Sequence, residues 1–143
     1  MAIIYQSEDV KFPSIKRRKI NKWIKQVASS YDKSVGDISY IFCSDPKILE
    51  INNEYLQHDY YTDIITFDYS DESEISGDIF ISLDTVKSNS EQFNTDYIDE
   101  LHRIIIHGIL HLCGINDKGP GEREHMTDCE NKALELLKTI EAE

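Results

Sequence analysis

The stretch His107-Gly108-Ile109-Leu110-His111-Leu112-Cys113-Gly114-Ile115-Asn116-Asp117 restricts this chain more than any other. The aliphatic run around it, with Ile104, Ile105, Ile106, Ile109, Leu110 and Leu112, predicts a buried central helix, because a helix apolar on nearly every side has no face for water. Two histidines four apart then share one face, one turn above the other. Imidazoles in such a setting need partners for their ring nitrogens. They are either satisfied core histidines or two ligands of one ion. Gly114 stands where a helix ends on a left-handed residue, and the chain beyond it can return the Asp117 carboxylate towards both rings. Two imidazoles and a carboxylate make three protein ligands with a fourth position left for water, the donor set of a catalytic zinc site. His107, His111 and Asp117 are thus the candidate metal ligands, and one Zn2+ ion the candidate cofactor.

The rest of the chain is read around that helix. Its 143 residues, 40% hydrophobic and 29% charged, suit one domain with a full core. The expected fold class is α+β: a single compact domain over 1–143, a small and mostly mixed β-sheet packed with helices, and the metal site on the central helix and its following loop. No stretch approaches a membrane span, and the N-terminus lacks a secretory signal. Cys43, Cys113 and Cys129 have no paired spacing, so free thiols in a reducing cytoplasm are expected, with Cys113 in the core.

Strand and helix signals set the order of elements. Ile3, Ile4 and Tyr5 predict a first strand, and Pro13-Ser14 opens a helix running to about Ser29. Gly36-Asp37 breaks the chain before a strand from Ile38 to Phe42. Ser44 or Asp45 caps a helix ending near Tyr55 or Leu56. A polar-aromatic loop leads to a strand at 64–69. Ser70 to Ser76 is an exposed connection, and Ile79 to Leu83 a second strand antiparallel to the one before. Asp84 caps a short helix through Phe93, Thr95 or Asp96 starts the central helix, and Pro120 starts the last one. His58 and His102 fall in a loop and on a helix surface.

Charge is unevenly spread. The net is −12, yet residues 11–25 hold seven Lys and Arg and no acid, which leaves −19 for the remainder. That basic segment is either a solvated helix face or a local contact for a phosphate backbone.

The block from His107 to Gly114 resembles the signature of the YbeY family, bacterial single-strand-specific endoribonucleases that mature ribosomal RNA. Asn52, Tyr55, Asp59 and Thr62-Asp63-Ile64-Ile65-Thr66-Phe67 resemble the loop and strand before that family's site, Gly77-Asp78-Ile79 its next strand, and Met126 its downstream methionine. The resemblance spans essentially the whole chain. It implies a metal-dependent hydrolase, with zinc as its ion, acting in the cytoplasm on single-stranded and ribosomal RNA with the small ribosomal subunit, in 3′-end processing and ribosome quality control.

Two positions depart from the family pattern. Asp117 stands where the family carries a third histidine, and Leu56 where it commonly has an arginine. Aspartate is a competent zinc ligand, although it makes the site more negative by one charge. Arg103, four residues before His107 on the same helix row, is a candidate substitute for the arginine. It either reaches a phosphoryl oxygen beside the ion or pairs with Asp99 or Glu100. The candidate catalytic residues are Arg103 and His107.

The expected chemistry is phosphodiester hydrolysis assisted by the ion, with water or the substrate's 2′-hydroxyl as nucleophile. Tyr60 and Tyr61 either stack on bases or pack at the rim. A metzincin-like metalloprotease is the rival enzyme, but its His-Glu-x-x-His motif uses a glutamate where this chain has Gly108. Asp63 or Asp78 would have to replace that base. The non-catalytic alternative is a ribosome-associated factor in which zinc fixes the fold with a fourth ligand, from His125 or Cys129.

Overall fold

The computed structural model describes residues 2–56 and 62–140, and only the backbone of Leu56. Tyr60, Tyr61, His58, Asp59 and the Leu56 side chain lie outside the described residues. In chain order the elements are β1 (Ile3–Ser7), α1 (Arg17–Ser30), β2 (Ser34–Cys43), α2 (Asp45–Leu56), β3 (Ile64–Asp68), β4 (Glu74–Ser82), α3 (Leu83–Gln92), α4 (Tyr97–Leu112) and α5 (Glu122–Thr139).

The sheet runs β1-β2-β4-β3 and is mixed, as expected for an α+β chain. β1, β2 and β4 are parallel, and β3 closes one edge antiparallel to β4. Alternation of side chains divides the sheet into two faces. Ile38, Tyr40 and Phe42 of β2 and Ile75, Ile79 and Ile81 of β4 join the main core with α1, α4 and α5. Cys43, Ile65, Phe67 and Phe80 face the other way and pack with Ile48 and Ile51 of α2.

Helix α4 lies inside the larger core. Leu101, Ile105, Ile106, Ile109 and Leu110 are all fully buried, each worth about 1.5–3 kcal/mol of transfer free energy. Two polar bonds fix its surroundings. Tyr40 donates its buried hydroxyl to the Ile105 carbonyl at 2.9 Å, and Trp23 Nε1 donates to the Ala133 carbonyl at 2.7 Å. The helix is not apolar all round, however. Glu100, Arg103, His107 and His111 form a polar row along it, with the two imidazoles 15% and 30% exposed. His102 is half-buried edge-on against Trp23 (ring centroids 6.0 Å apart) rather than on an open surface.

Other boundaries differ from expectation for local reasons. Helix α1 begins at Arg17, because Pro13 is buried and Phe12 packs edge-on against Phe42, which holds the segment before the helix on the sheet, where the Ile15 amide turns back to the Pro13 carbonyl at 3.0 Å. Gly36-Asp37 does not break the chain; it forms an irregularity inside β2, where the register shifts between Val35 and Ile38. β4 starts at Glu74, so part of the acidic stretch pairs with Ser34 and Val35. Ser82, not Asp84, caps α3 by accepting from the Thr85 amide. Gly121, at φ +75°, precedes α5, one residue after Pro120.

Candidate metal centre

Helix α4 ends in a Schellman motif, and this brings the third candidate ligand to the first two. Cys113 is the C-cap and Gly114 the left-handed residue, at φ +99°. The Gly114 amide donates to the His111 carbonyl and the Ile115 amide to the Leu110 carbonyl, both at 3.0 Å. A side chain at 114 would be strained in that conformation, which is why glycine serves there. The reversed chain then carries Asn116 and Asp117 back over the helix row.

The expected three residues converge. Their ligand atoms lie within 4.8 Å of one another, and they form the one such group of three among the described residues. His107 Nε2 is 3.4 Å from Asp117 Oδ2, and His111 Nε2 is 3.5 Å from Asp117 Oδ1. Both distances are long for hydrogen bonds. A tetrahedral ion with bonds of about 2.0–2.2 Å holds its donors roughly 3.3–3.6 Å apart, which matches them. A second observation supports the fit: Asp117 Oδ1 is buried and has no hydrogen-bond partner. A carboxylate oxygen left so costs about 1–3 kcal/mol or more, and a cation between the three side chains would remove that cost.

The surroundings set the state of each group. His107 Nδ1 contacts Glu130 Oε2 at 2.6 Å. Burial works to lower the His107 pKa, but the hydrogen bond and charge of Glu130, with Asp117 and Asp63, outweigh it and raise the value. His111 is lowered by burial and by its neighbour His107, whose ring lies 4.7 Å away. Burial raises the Asp63 carboxyl.

A cleft of about 410 Å³ is lined by the three candidate ligands and by Asn52, Thr62, Asp63, Thr66, Asp68, Asn116 and Lys118. On the other side of His107 and Asp117 a cavity of about 400 Å³ carries Arg103, Arg123, Phe93 and Glu130. A larger cleft, about 600 Å³, runs between α4 and α5 and touches none of the three candidate ligands.

Other expected residues fall as follows. Arg103 lies on the predicted row, but it bonds across to α5, with Glu130 Oε1 at 2.7 Å and Asn131 Oδ1 at 2.8 Å, rather than to Asp99 or Glu100. His125 and Cys129 contact each other at 3.7 Å and do not join the three ligands. Asp63 lines the cleft, whereas Asp78 accepts from the Tyr69 hydroxyl and is not among the lining residues. Glu130 was missed from sequence. Its signal was a carboxylate on the apolar stripe of α5, between Met126 and Ala133, where an acid is rarely buried without a partner.

Known proteins resemble this chain over nearly its whole length. The family described as Endoribonuclease YbeY matches residues 3–138. The Bacteroides fragilis protein of that name is 69% identical over 138 residues, 96% of this chain and 99% of its own. The Parabacteroides distasonis protein of that name is 68% identical over 137 residues, 96% of each chain, and a Porphyromonas gingivalis one is 53% identical over 136, covering 95% of this chain and 90% of its own. The solution structure of TM1509 from Thermotoga maritima superposes with a TM-score of 0.66 at 25% identity, over 95% of this chain and 89% of that one. With the match running almost end to end and the ligand cluster inside it, the chain belongs to the YbeY endoribonuclease family.

Proposed function

We propose that this chain is a metal-dependent endoribonuclease that cleaves single-stranded RNA, using one divalent ion, zinc, on His107, His111 and Asp117. Family membership supports RNA as the substrate class. The observation that carries the metal part is the Asp117 carboxylate in a cleft, its two oxygens each set against one imidazole nitrogen and its Oδ1 buried without a hydrogen-bond partner. Three protein donors at a cleft leave room for a reacting ligand, which favours a catalytic over a purely structural ion.

When bound, such an ion supplies Lewis acidity to a phosphoryl oxygen and brings the pKa of a water towards ~7. The chain's own residues do the remaining work. Asn116 and Lys118 line the cleft beside Asp117, and the Lys118 ammonium offsets carboxylate charge where a phosphate backbone must approach. Asp63, its carboxyl pKa raised by burial, lines the same cleft and is the group assigned to exchange a proton with the reacting oxygens. Arg103 lies on the far side of His107, outside the lining of this cleft, with its guanidinium held by Glu130 and Asn131. The physiological substrate in this reading is ribosomal RNA of the small subunit, processed at the 3′ end in the cytoplasm. The three free cysteines fit a reducing compartment.

Incubating zinc-loaded protein with single-stranded and with fully paired RNA, against casein as control, tests this reading. The expected outcome is zinc-dependent cleavage of the single strand, lost in His107→Ala and His111→Ala. Cleavage that persists in both variants, or after the metal is stripped, overturns it.

A further inference from the structure

We propose that Glu130 is a positioning residue for His107, and that Arg103 acts by holding Glu130 in place; the proposal rests on the metal-site reading above. Glu130 is only 8% exposed, and both carboxylate oxygens are engaged. Oε2 lies 2.6 Å from His107 Nδ1, and Oε1 accepts from Arg103 at 2.7 Å. The second terminal nitrogen of Arg103 donates to Asn131 Oδ1 at 2.8 Å, one residue further along α5. An ionised carboxylate can only accept, so the proton in the His107 contact sits on Nδ1. The lone pair of the ring is then on Nε2, the nitrogen 3.4 Å from Asp117 Oδ2.

The arrangement does two things for an ion. It selects the tautomer that presents Nε2 to the ligand cluster, and it stops the ring from turning, since rotation would break a charge-assisted bond. A buried carboxylate with one partner would be costly, and the guanidinium satisfies its other oxygen. Arg103 is therefore bound to the site through Glu130, one helix turn before His107 on α4, with α5 as the platform. This assigns to the α4–α5 contact a task beyond packing.

The test uses the full chain as wild type and as Glu130→Ala, Glu130→Gln and Arg103→Ala. Two quantities are read: the His107 tautomer, by ring-nitrogen NMR shifts of the metal-free protein at a pH where the ring is neutral, and the zinc dissociation constant, by competition with a chromophoric chelator. Wild type should show the Nδ1–H tautomer. Glu130→Ala should show a tautomer mixture and bind zinc about 10–100-fold more weakly. Glu130→Gln keeps an acceptor without the charge and should fall between the two; it also serves if the alanine variant fails to fold. Arg103→Ala should weaken zinc binding in the same direction by a smaller factor. An unchanged tautomer with zinc affinity within about twofold of wild type in both Glu130 variants overturns the proposal. Unchanged zinc affinity in Arg103→Ala together with lost RNA cleavage overturns the part given to Arg103 and places it on the phosphate instead. If wild type takes up no zinc while the tautomer still switches, the metal reading fails and the orientation of His107 by Glu130 stands.

Discussion

A Cβ atom on Gly108 would lie 3.0 Å from Ile79 Cδ1, with Ile64 Cδ1 at 3.3 Å behind it. Gly108 sits between the two histidines in sequence, and a side chain there would start against Ile79 of β4 and Ile64 of β3. A peptidase of the His-Glu-x-x-His type needs a glutamate at this position as general base. Here the side chain would start against the fully buried Ile79, so close packing at this position counts against the metalloprotease reading beside the missing carboxylate.

That relationship predicts opposite outcomes for two substitutions. Gly108→Ala gains about 1 kcal/mol of helix propensity and loses about 1–3 kcal/mol by crowding flexible isoleucine tips, so urea denaturation should find it within about 2 kcal/mol of wild type. Gly108→Glu buries an unpaired charge and should leave little folded protein and no caseinolytic activity. A stably folded Gly108→Glu would contradict the packing described.

Gly77 gives a contrasting case on β4. A Cβ there would run into the Phe67 carbonyl oxygen on the neighbouring strand, and backbone cannot move aside as an isoleucine tip can. Gly77→Ala should therefore cost more than Gly108→Ala, on the order of 2–4 kcal/mol. Equal denaturation midpoints for the two variants would count against this.

Asp117 links stability to the metal. In the metal-free protein its buried Oδ1 lacks a partner, so Asp117→Ala should be neutral or raise the melting temperature slightly, since removing an unsatisfied polar atom recovers about 1 kcal/mol. With excess zinc the order should reverse. Wild type gains RT ln(1 + [Zn]/Kd), about 2.7 kcal/mol at a hundredfold excess over Kd, and the variant should gain far less. Melting curves with and without EDTA decide this; a variant stabilised by zinc as strongly as wild type would remove Asp117 from the ligand set.

Buried acids set a limit at alkaline pH. Burial pushes the Cys43 thiol from 9.0 up to about 12 and Cys113 up to about 11, and it raises the hydroxyl of Tyr40 well above 10.0. In each the folded chain holds its proton more tightly than the unfolded one. The associated stability is complete below about pH 9 and is lost as pH rises towards the folded values, with a slope of about 1.4 kcal/mol per unit for each group ionised only in the unfolded chain. The urea midpoint should therefore fall steeply between about pH 9 and about pH 11, and Cys43→Ser should make that fall shallower.

How far the sequence spoke depended on the range of the interaction. The convergence of the three candidate ligands was legible because their geometry is local: a helix row places His107 and His111, and a six-residue return through Gly114 places Asp117. Most elements were legible by the same kind of signal. Glu130 was not identified, since its partner His107 is 23 residues away and the crossing of α4 and α5 is a tertiary fact. Arg103 was placed correctly on its row, yet the row does not say that α5 supplies a carboxylate closer than Asp99 or Glu100. The start of α1 shifted to Arg17 because the packing of Phe12 on Phe42, 30 residues on, outweighed a proline signal.

X-ray absorption of the zinc-loaded chain tests the central claim most directly. The account predicts a first shell of two imidazole nitrogens with oxygens from Asp117 and solvent, all at about 2.0–2.2 Å, and no sulfur. A shell containing a thiolate, or one of oxygens alone without imidazole, would contradict it.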